Sequence, residues 1–256
     1  MNFLKSNVLT QKTVLFSVFL HFSYVSFSQK ADSTKVVNHI SGAVTLTNNG
    51  ISLIPTFSLG KPATVLDFSA GRKRLSFDPQ LRFALEDGKP WSFVFWVRYK
   101  LIQNDKFKLG IGTHPAVVFN TTTAVVNGTS KELLTAKRYW ASEIASIYTV
   151  SKNVRVGLYY LYGYGISADA SRNTHFLGLN ASFLHVKLSD QFFLKFNPQV
   201  FYLKIDANDG FFLSETVTLA KRNFPFSLSS IATKTLTTNL AGVKDFVWNV
   251  NLIYAF

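Results

Sequence analysis

FVWNVNLIYAF, the last eleven residues from Phe246 to Phe256, alternates without a break. Phe246, Trp248, Val250, Leu252, Tyr254 and Phe256 fall on one face of an extended chain. Val247, Asn249, Asn251, Ile253 and Ala255 fall on the other. A strand turns successive side chains to opposite faces, so this segment has a continuous apolar, aromatic face backed by small and amide side chains. The same two-residue period recurs upstream. Leu75, Phe77, Pro79, Leu81, Phe83 and Leu85 share a face, and so do Phe192, Leu194, Phe196, Pro198, Val200 and Tyr202. In residues 91–102 the apolar face is Trp91, Phe93, Phe95, Val97, Tyr99 and Leu101, and the reverse face carries Ser92, Arg98 and Lys100 with Val94 and Trp96. No stretch shows sustained helical periodicity.

Turn signals divide the chain into twelve candidate strands: 51–60, 64–71, 74–86, 91–102, 107–119, 138–150, 154–166, 175–188, 192–205, 211–221, 224–236 and 246–256. Several approach the ~9–11 residues of a tilted membrane strand and exceed the ~5–6 usual in soluble sheets. Ten and fourteen strands are the alternatives. Membrane barrels keep both termini and the short turns on one side and the longer loops on the other. With twelve strands the tight links 103–106, 151–153 and 189–191 fall together inside. The longest connection, 120–137, falls outside with 167–174 and 237–245. Residues 36–47 alternate weakly before Asn48-Asn49-Gly50, a hairpin signal. Counted as a thirteenth strand they break the parity. Residues 29–50 are therefore a periplasmic lead-in or a first strand, and 51–256 the barrel.

Residues 1–28 have the form of an export signal: Lys5 and Lys12 near the start, an apolar run over 14–27, and Ser26-Phe27-Ser28 before an expected cleavage at Gln29. The apolar run is shorter than the ~20 residues a spanning helix needs. The chain has no Cys, which removes thiol nucleophiles, disulfides and a lipidated new terminus. Its formal charge is +13, falling to +11 without Lys5 and Lys12. For an exported chain, that balance favours anionic lipid or anionic solutes over nucleic acid. No cofactor or metal is expected, because His39, His114, His175 and His185 show no ligand spacing.

Alternation alone also fits a soluble barrel. Aromatic residues at the ends of the apolar faces (Trp91 and Tyr99, Phe192 and Tyr202, Phe246 and Phe256) favour membrane interfaces. The export signal, the strand pattern and the terminal Phe preceded by alternating apolar residues together resemble bacterial outer-membrane β-barrels. In that class the last strand is read by the barrel-insertion machinery, which implies that role for Trp248, Tyr254 and Phe256. The expected fold is all-β, an up-and-down antiparallel transmembrane barrel of about twelve strands.

On that reading the polar face is a lumen. Arg82, Arg98, Lys100, Lys108, Arg155 and Lys195 project to it, opposed by Asp78, Glu86 and Glu143. A positively charged pore wall selects anions, so the expected function is a small channel favouring anionic solutes, with no enzymatic activity. Trp96, Tyr159 and Leu161 also point inward and leave a filled, silent lumen as the competing expectation. Two further readings are a surface-interaction barrel acting through residues 120–137, and a membrane-embedded lipid hydrolase using His175 or His185.

Overall fold

A computed structural model describes residues 38–126 and 129–256. The expected export signal, the cleavage site and residues 29–37 lie outside them. The strands are β1 (Asn38–Thr47), β2 (Ala63–Arg72), β3 (Leu75–Ala84), β4 (Pro90–Gln103), β5 (Phe107–Val126), β6 (Thr129–Ser151) and β7 (Val154–Gly165). They continue as β8 (Asn173–Lys187), β9 (Phe192–Ile205), β10 (Asn208–Lys221), β11 (Phe226–Thr238), β12 (Phe246–Trp248) and β13 (Asn251–Ala255). Each strand pairs antiparallel with its chain neighbour. β12 and β13 both pair with β11 and are two halves of one twelfth strand. β13 also pairs with β1, from Ala43 opposite Ala255 to Thr47 opposite Asn251, and closes the barrel. Closure leaves no sheet edge, which is what allows strands to cross lipid with every backbone group satisfied.

The side-chain alternation assigns the two surfaces. Outward positions expose large apolar groups, among them Leu158, Leu177, Leu179, Val200, Leu213, Leu228 and Leu252, each 41–53% exposed. An apolar surface this continuous needs lipid to cover it. Aromatics concentrate at its two margins: Trp140, Tyr164, Phe211 and Phe246 at one, Tyr99, Tyr148, Phe192 and Tyr254 at the other. Short links at 73–74, 104–106, 152–153, 188–191 and 222–225 occupy the end that holds both strand termini. By the barrel rule this is the periplasmic end, and the longer loops are extracellular.

Three expectations require correction. Residues 51–60 are not a strand. They belong to the extracellular loop 48–62, L1, with a 3-10 turn at Pro55–Phe57. Asn38–Thr47 supplies the first strand instead, so the total of twelve and the parity both survive. Pro55 forbids a ladder hydrogen bond, and Phe57 N–H donates to Ile54 O at 2.9 Å, closing a local turn. Second, residues 120–137 are not an irregular loop. β5 and β6 run 20 and 23 residues and pair up to Val126 opposite Thr129, well past the last pairings with β4 (Val118) and β7 (Tyr139). They rise from the barrel as a two-stranded ribbon. Third, Trp91 is not an outer-girdle residue. The pairing shifts between Arg82 and Phe83, and the resulting bulge turns Trp91 inward, where it is 3% exposed.

The joint between β12 and β13 lies in the stretch quoted at the outset. Asn249 is 2% exposed and replaces the interrupted ladder with its side chain. Ile231 N–H donates to Asn249 Oδ1 at 3.0 Å, and Asn249 Nδ2–H donates to Asn49 O at 3.1 Å. Asn49 Nδ2–H donates to Trp248 O at 3.0 Å, and Val250 N–H to Asn48 Oδ1 at 2.8 Å. L1 is thereby stitched to the last strand. Past the joint, Gly42 and Phe256 exchange two backbone hydrogen bonds of 2.9 Å. The Phe256 ring lies so close over Gly42 that it leaves no room for a Cβ there.

Candidate functional site

The lumen divides into three levels. At the extracellular level L1 folds inward. Ile54 packs on a buried cluster that includes Leu161, Phe176, Phe201, Leu203, Phe212 and Leu240. Phe57 packs on Ala116, Val118, Tyr139 and Ala170, with its ring 5.3 Å from that of Tyr139. Trp91 Nε1–H donates to Phe57 O at 2.8 Å. L1 is therefore an apolar plug seated against both walls. Beside it, between L1 and the β9–β12 wall, a cavity of about 590 Å³ remains, lined by Gln199, Phe201, Phe212, Ser214, Thr216 and Thr233 among others.

The middle level is an ionic chain centred on Arg98. Arg98 Nε–H donates to Glu143 Oε1 at 2.6 Å and Nη1–H to Asp78 Oδ2 at 3.0 Å. Tyr159 OH donates to Glu143 Oε2 at 2.7 Å. Ser69 and Ser76 hydroxyls donate to Asp78 at 2.6 and 3.0 Å. The guanidinium also lies 4.3 Å over the Trp96 ring. Register explains the reach across β5: Arg98 is opposite Gly112, and Gly112 is opposite Glu143. A Cβ at Gly112 would sit 2.8 Å from Glu143 Oε1, so the glycine leaves the corridor through which the pair meets.

The third level is the periplasmic mouth. Lys100, Lys108, Arg155 and Lys195 lie near the periplasmic ends of β4, β5, β7 and β9 on the inward face. Among the described residues none of the four takes part in an ion pair. Arg155 Nε is buried and has no hydrogen-bond partner there. Lys195 Nζ lies 5.8 Å over the Phe193 ring.

The six cations named from sequence thus separate into three environments. Arg82 sits at the plug level, 4.9 Å over the Trp91 ring and bonded to Gln80, which in turn donates to Asp67 at 2.5 Å. Arg98 is neutralised by two acids. Arg82 bonds to a neutral amide and, like the remaining four, takes part in no ion pair among the described residues, but it lies at the plug and not at the mouth. Sequence reasoning placed Glu143 on the polar face without its partner; the signal for the pair was the Gly112 between them. It missed the L1 plug and the role of Asn249. Trp248 and Tyr254 face outward at opposite margins, and Tyr254 stacks between Phe226 and Phe256 at 4.9 and 5.8 Å. His175 faces outward and bonds the Tyr160 hydroxyl at 2.8 Å, and His185 stacks on Phe193 at 4.5 Å. Among the described residues neither has a Ser as a hydrogen-bond partner.

No protein-family model matches the chain, and no curated protein matches it in sequence. Its structure is similar to that of the KdgM porin, with a TM-score of 0.52 and 12% identity over 84% of this chain and 99% of that one. It is also similar to the KdgM porin in complex with disordered oligogalacturonate, with a TM-score of 0.50 and 11% identity over 86% and 99% of the two chains. At this identity the likeness is one of fold. Closed antiparallel topology, twelve strands, an apolar exterior with aromatic margins and a polar interior agree with it: the chain has the fold of a closed twelve-stranded antiparallel β-barrel, similar to that of an outer-membrane porin.

Proposed function

We infer that the protein is a narrow outer-membrane channel that favours anionic solutes and is closed at rest by its own L1 loop. The observation that carries this reading is the periplasmic mouth, where Lys100, Lys108, Arg155 and Lys195 face the lumen without acidic partners among the described residues. In a hydrated pore of low-dielectric walls, four uncompensated cations raise the local concentration of anions. The Arg98 level contributes little, because Glu143 and Asp78 cancel it. The oligogalacturonate in complex with the structurally similar KdgM porin fits this sign of charge. The chain itself performs no chemistry on the solute, and its partners are outer-membrane lipid, the insertion machinery acting on Trp248, Tyr254 and Phe256, and anionic small solutes.

The test is conductance of the refolded barrel in a planar bilayer under a salt gradient. Brief openings with an anion-selective reversal potential are expected. Openings with cation-selective reversal would refute the selectivity, and a barrel that stays silent after L1 is removed would refute the channel.

A second reading rests on the β5–β6 ribbon. Beyond Val118 and Arg138 neither of its edges pairs with another strand among the described residues, and Leu133 and Leu134 are 43% and 46% exposed. Open strand edges pair readily with other chains. A surface-interaction role predicts that deleting 120–137 abolishes cell-surface binding and leaves conductance unchanged.

A further inference from the structure

The outer surface carries one feature that a lipid-facing wall does not require. On β10 the outward positions are Asp209, Phe211, Leu213, Glu215, Val217, Leu219 and Lys221, and Ser214 and Thr216 on either side of Glu215 line the interior cavity. Glu215 is thus midway along the strand and turned to the hydrocarbon. Its neighbours in the same row are Pro198 on β9 and Ala232 on β11. One step toward the extracellular side, Lys234 stands opposite Leu213, exposed and outward, because Thr233 and Thr235 line the interior. The other outward charges on the barrel wall (Arg72, Arg138, Lys204, Asp209 and Lys221) lie at strand ends or at the base of the ribbon, within reach of headgroups.

A carboxylate at mid-depth in lipid is costly, and such residues normally find a partner. Within this chain Glu215 Oε1 accepts only the Asn197 N–H, at 3.0 Å, and Glu215 forms no ion pair with Lys234 or any other described residue. Pro198 and Ala232 leave a shallow strip on either side of it, bordered by the larger Val200, Leu213 and Val217. Two charges of opposite sign, adjacent on one face, are complementary to themselves under a two-fold rotation. The same operation brings small residues against small residues and permits close wall-to-wall approach.

We propose that β9–β11 form the interface of a homodimer in the membrane, in which Glu215 of each copy pairs with Lys234 of the other across the Pro198–Ala232 strip. The second copy supplies the cation that Glu215 lacks and removes both charges from lipid. This does not depend on whether the lumen conducts.

The chain has no native Cys, so Ala232→Cys gives a single reporter beside Glu215, and Val97→Cys on β4 gives a lipid-facing control across the barrel. Each variant is refolded into phosphatidylcholine vesicles, checked for heat-modifiable gel mobility as a sign of a closed barrel, and treated with a short bismaleimide. Ala232→Cys is expected to crosslink to a dimer that persists when the vesicles are diluted with lipid, and Val97→Cys is not. Adding Lys234→Glu should lower the dimer fraction roughly tenfold or more, as for loss of one partner of a desolvated pair. Adding Glu215→Lys to that background should restore it. Equal crosslinking at both reporters, a crosslink that fades in proportion to lipid dilution, or a folded charge-swapped barrel that stays monomeric would overturn the proposal.

Discussion

Replacing Ile54 and Phe57 together by Ser should unseat L1 and open the lumen. Both side chains are half-buried in the plug, Ile54 on the Phe176–Phe201–Phe212 cluster and Phe57 on Tyr139. Fully burying an Ile or Phe side chain contributes about 1.5–3 kcal/mol, so half-burial of both is worth roughly 1.5–3 kcal/mol. At ~1.4 kcal/mol per decade, the ratio of seated to unseated loop falls roughly ten- to a hundredfold. The barrel wall does not change, so gel mobility of the folded protein should match the wild type. Single-channel recording should show closed intervals shortened by that factor. Trp91→Phe is the graded companion. It keeps an aromatic ring but removes the Nε1–H bond to Phe57 O, worth about 1 kcal/mol and a roughly fivefold shift in the same ratio. If the double variant closes as often and as long as the wild type, L1 is not the closing element. If deleting 51–60 also changes nothing, the apolar wall cluster alone blocks the lumen.

Three further outcomes follow from the same geometry. Changing Lys100, Lys108, Arg155 and Lys195 to Gln should move the reversal potential toward cation selectivity, whereas Arg98→Gln alone should move it little; the opposite order would show that the Arg98 level controls the ions. Arg98→Ala leaves the Glu143 carboxylate, 6% exposed, without its cation and should lower stability in a urea titration by about 2–4 kcal/mol, reduced from the fully buried case because Arg98 borders water; Arg98→Met with Glu143→Leu should recover most of the loss, and no loss in the single variant would refute the pairing. Gly42→Val places side-chain atoms where the Phe256 ring lies and should slow or block closure of β1 on β13, read as loss of the heat-modifiable band, while Ala70→Val, outward on the neighbouring strand, should fold normally.

The architecture was legible because the two faces of a membrane strand meet different solvents. Every second residue faces lipid and must be apolar, so Phe246 to Phe256 carry the pattern in the bare sequence, and chain-order pairing follows from short turns. Strand ends were less legible. Asn38–Thr47 alternates too weakly to be chosen over 51–60, whose Ile51, Leu53 and Pro55 mimic a strand face although the segment folds inward as a plug. The period-two rule also missed the bulge that turns Trp91 inward, since one inserted residue inverts the face of its neighbour without altering composition.

Sequence alone determined the all-β barrel and a total of about twelve strands, because the alternation of apolar and polar residues survives errors in individual strand ends. The tertiary structure decided which lumen charges are free. Arg98, Lys100 and Lys108 look equivalent along the chain. Only the register of β4, β5 and β6 brings Arg98 across Gly112 to Glu143, and only the inward fold of L1 sets Ile54 and Phe57 against wall residues far away in sequence. A charge acts through what lies within a few ångströms of it, and in a closed barrel those neighbours come from other strands.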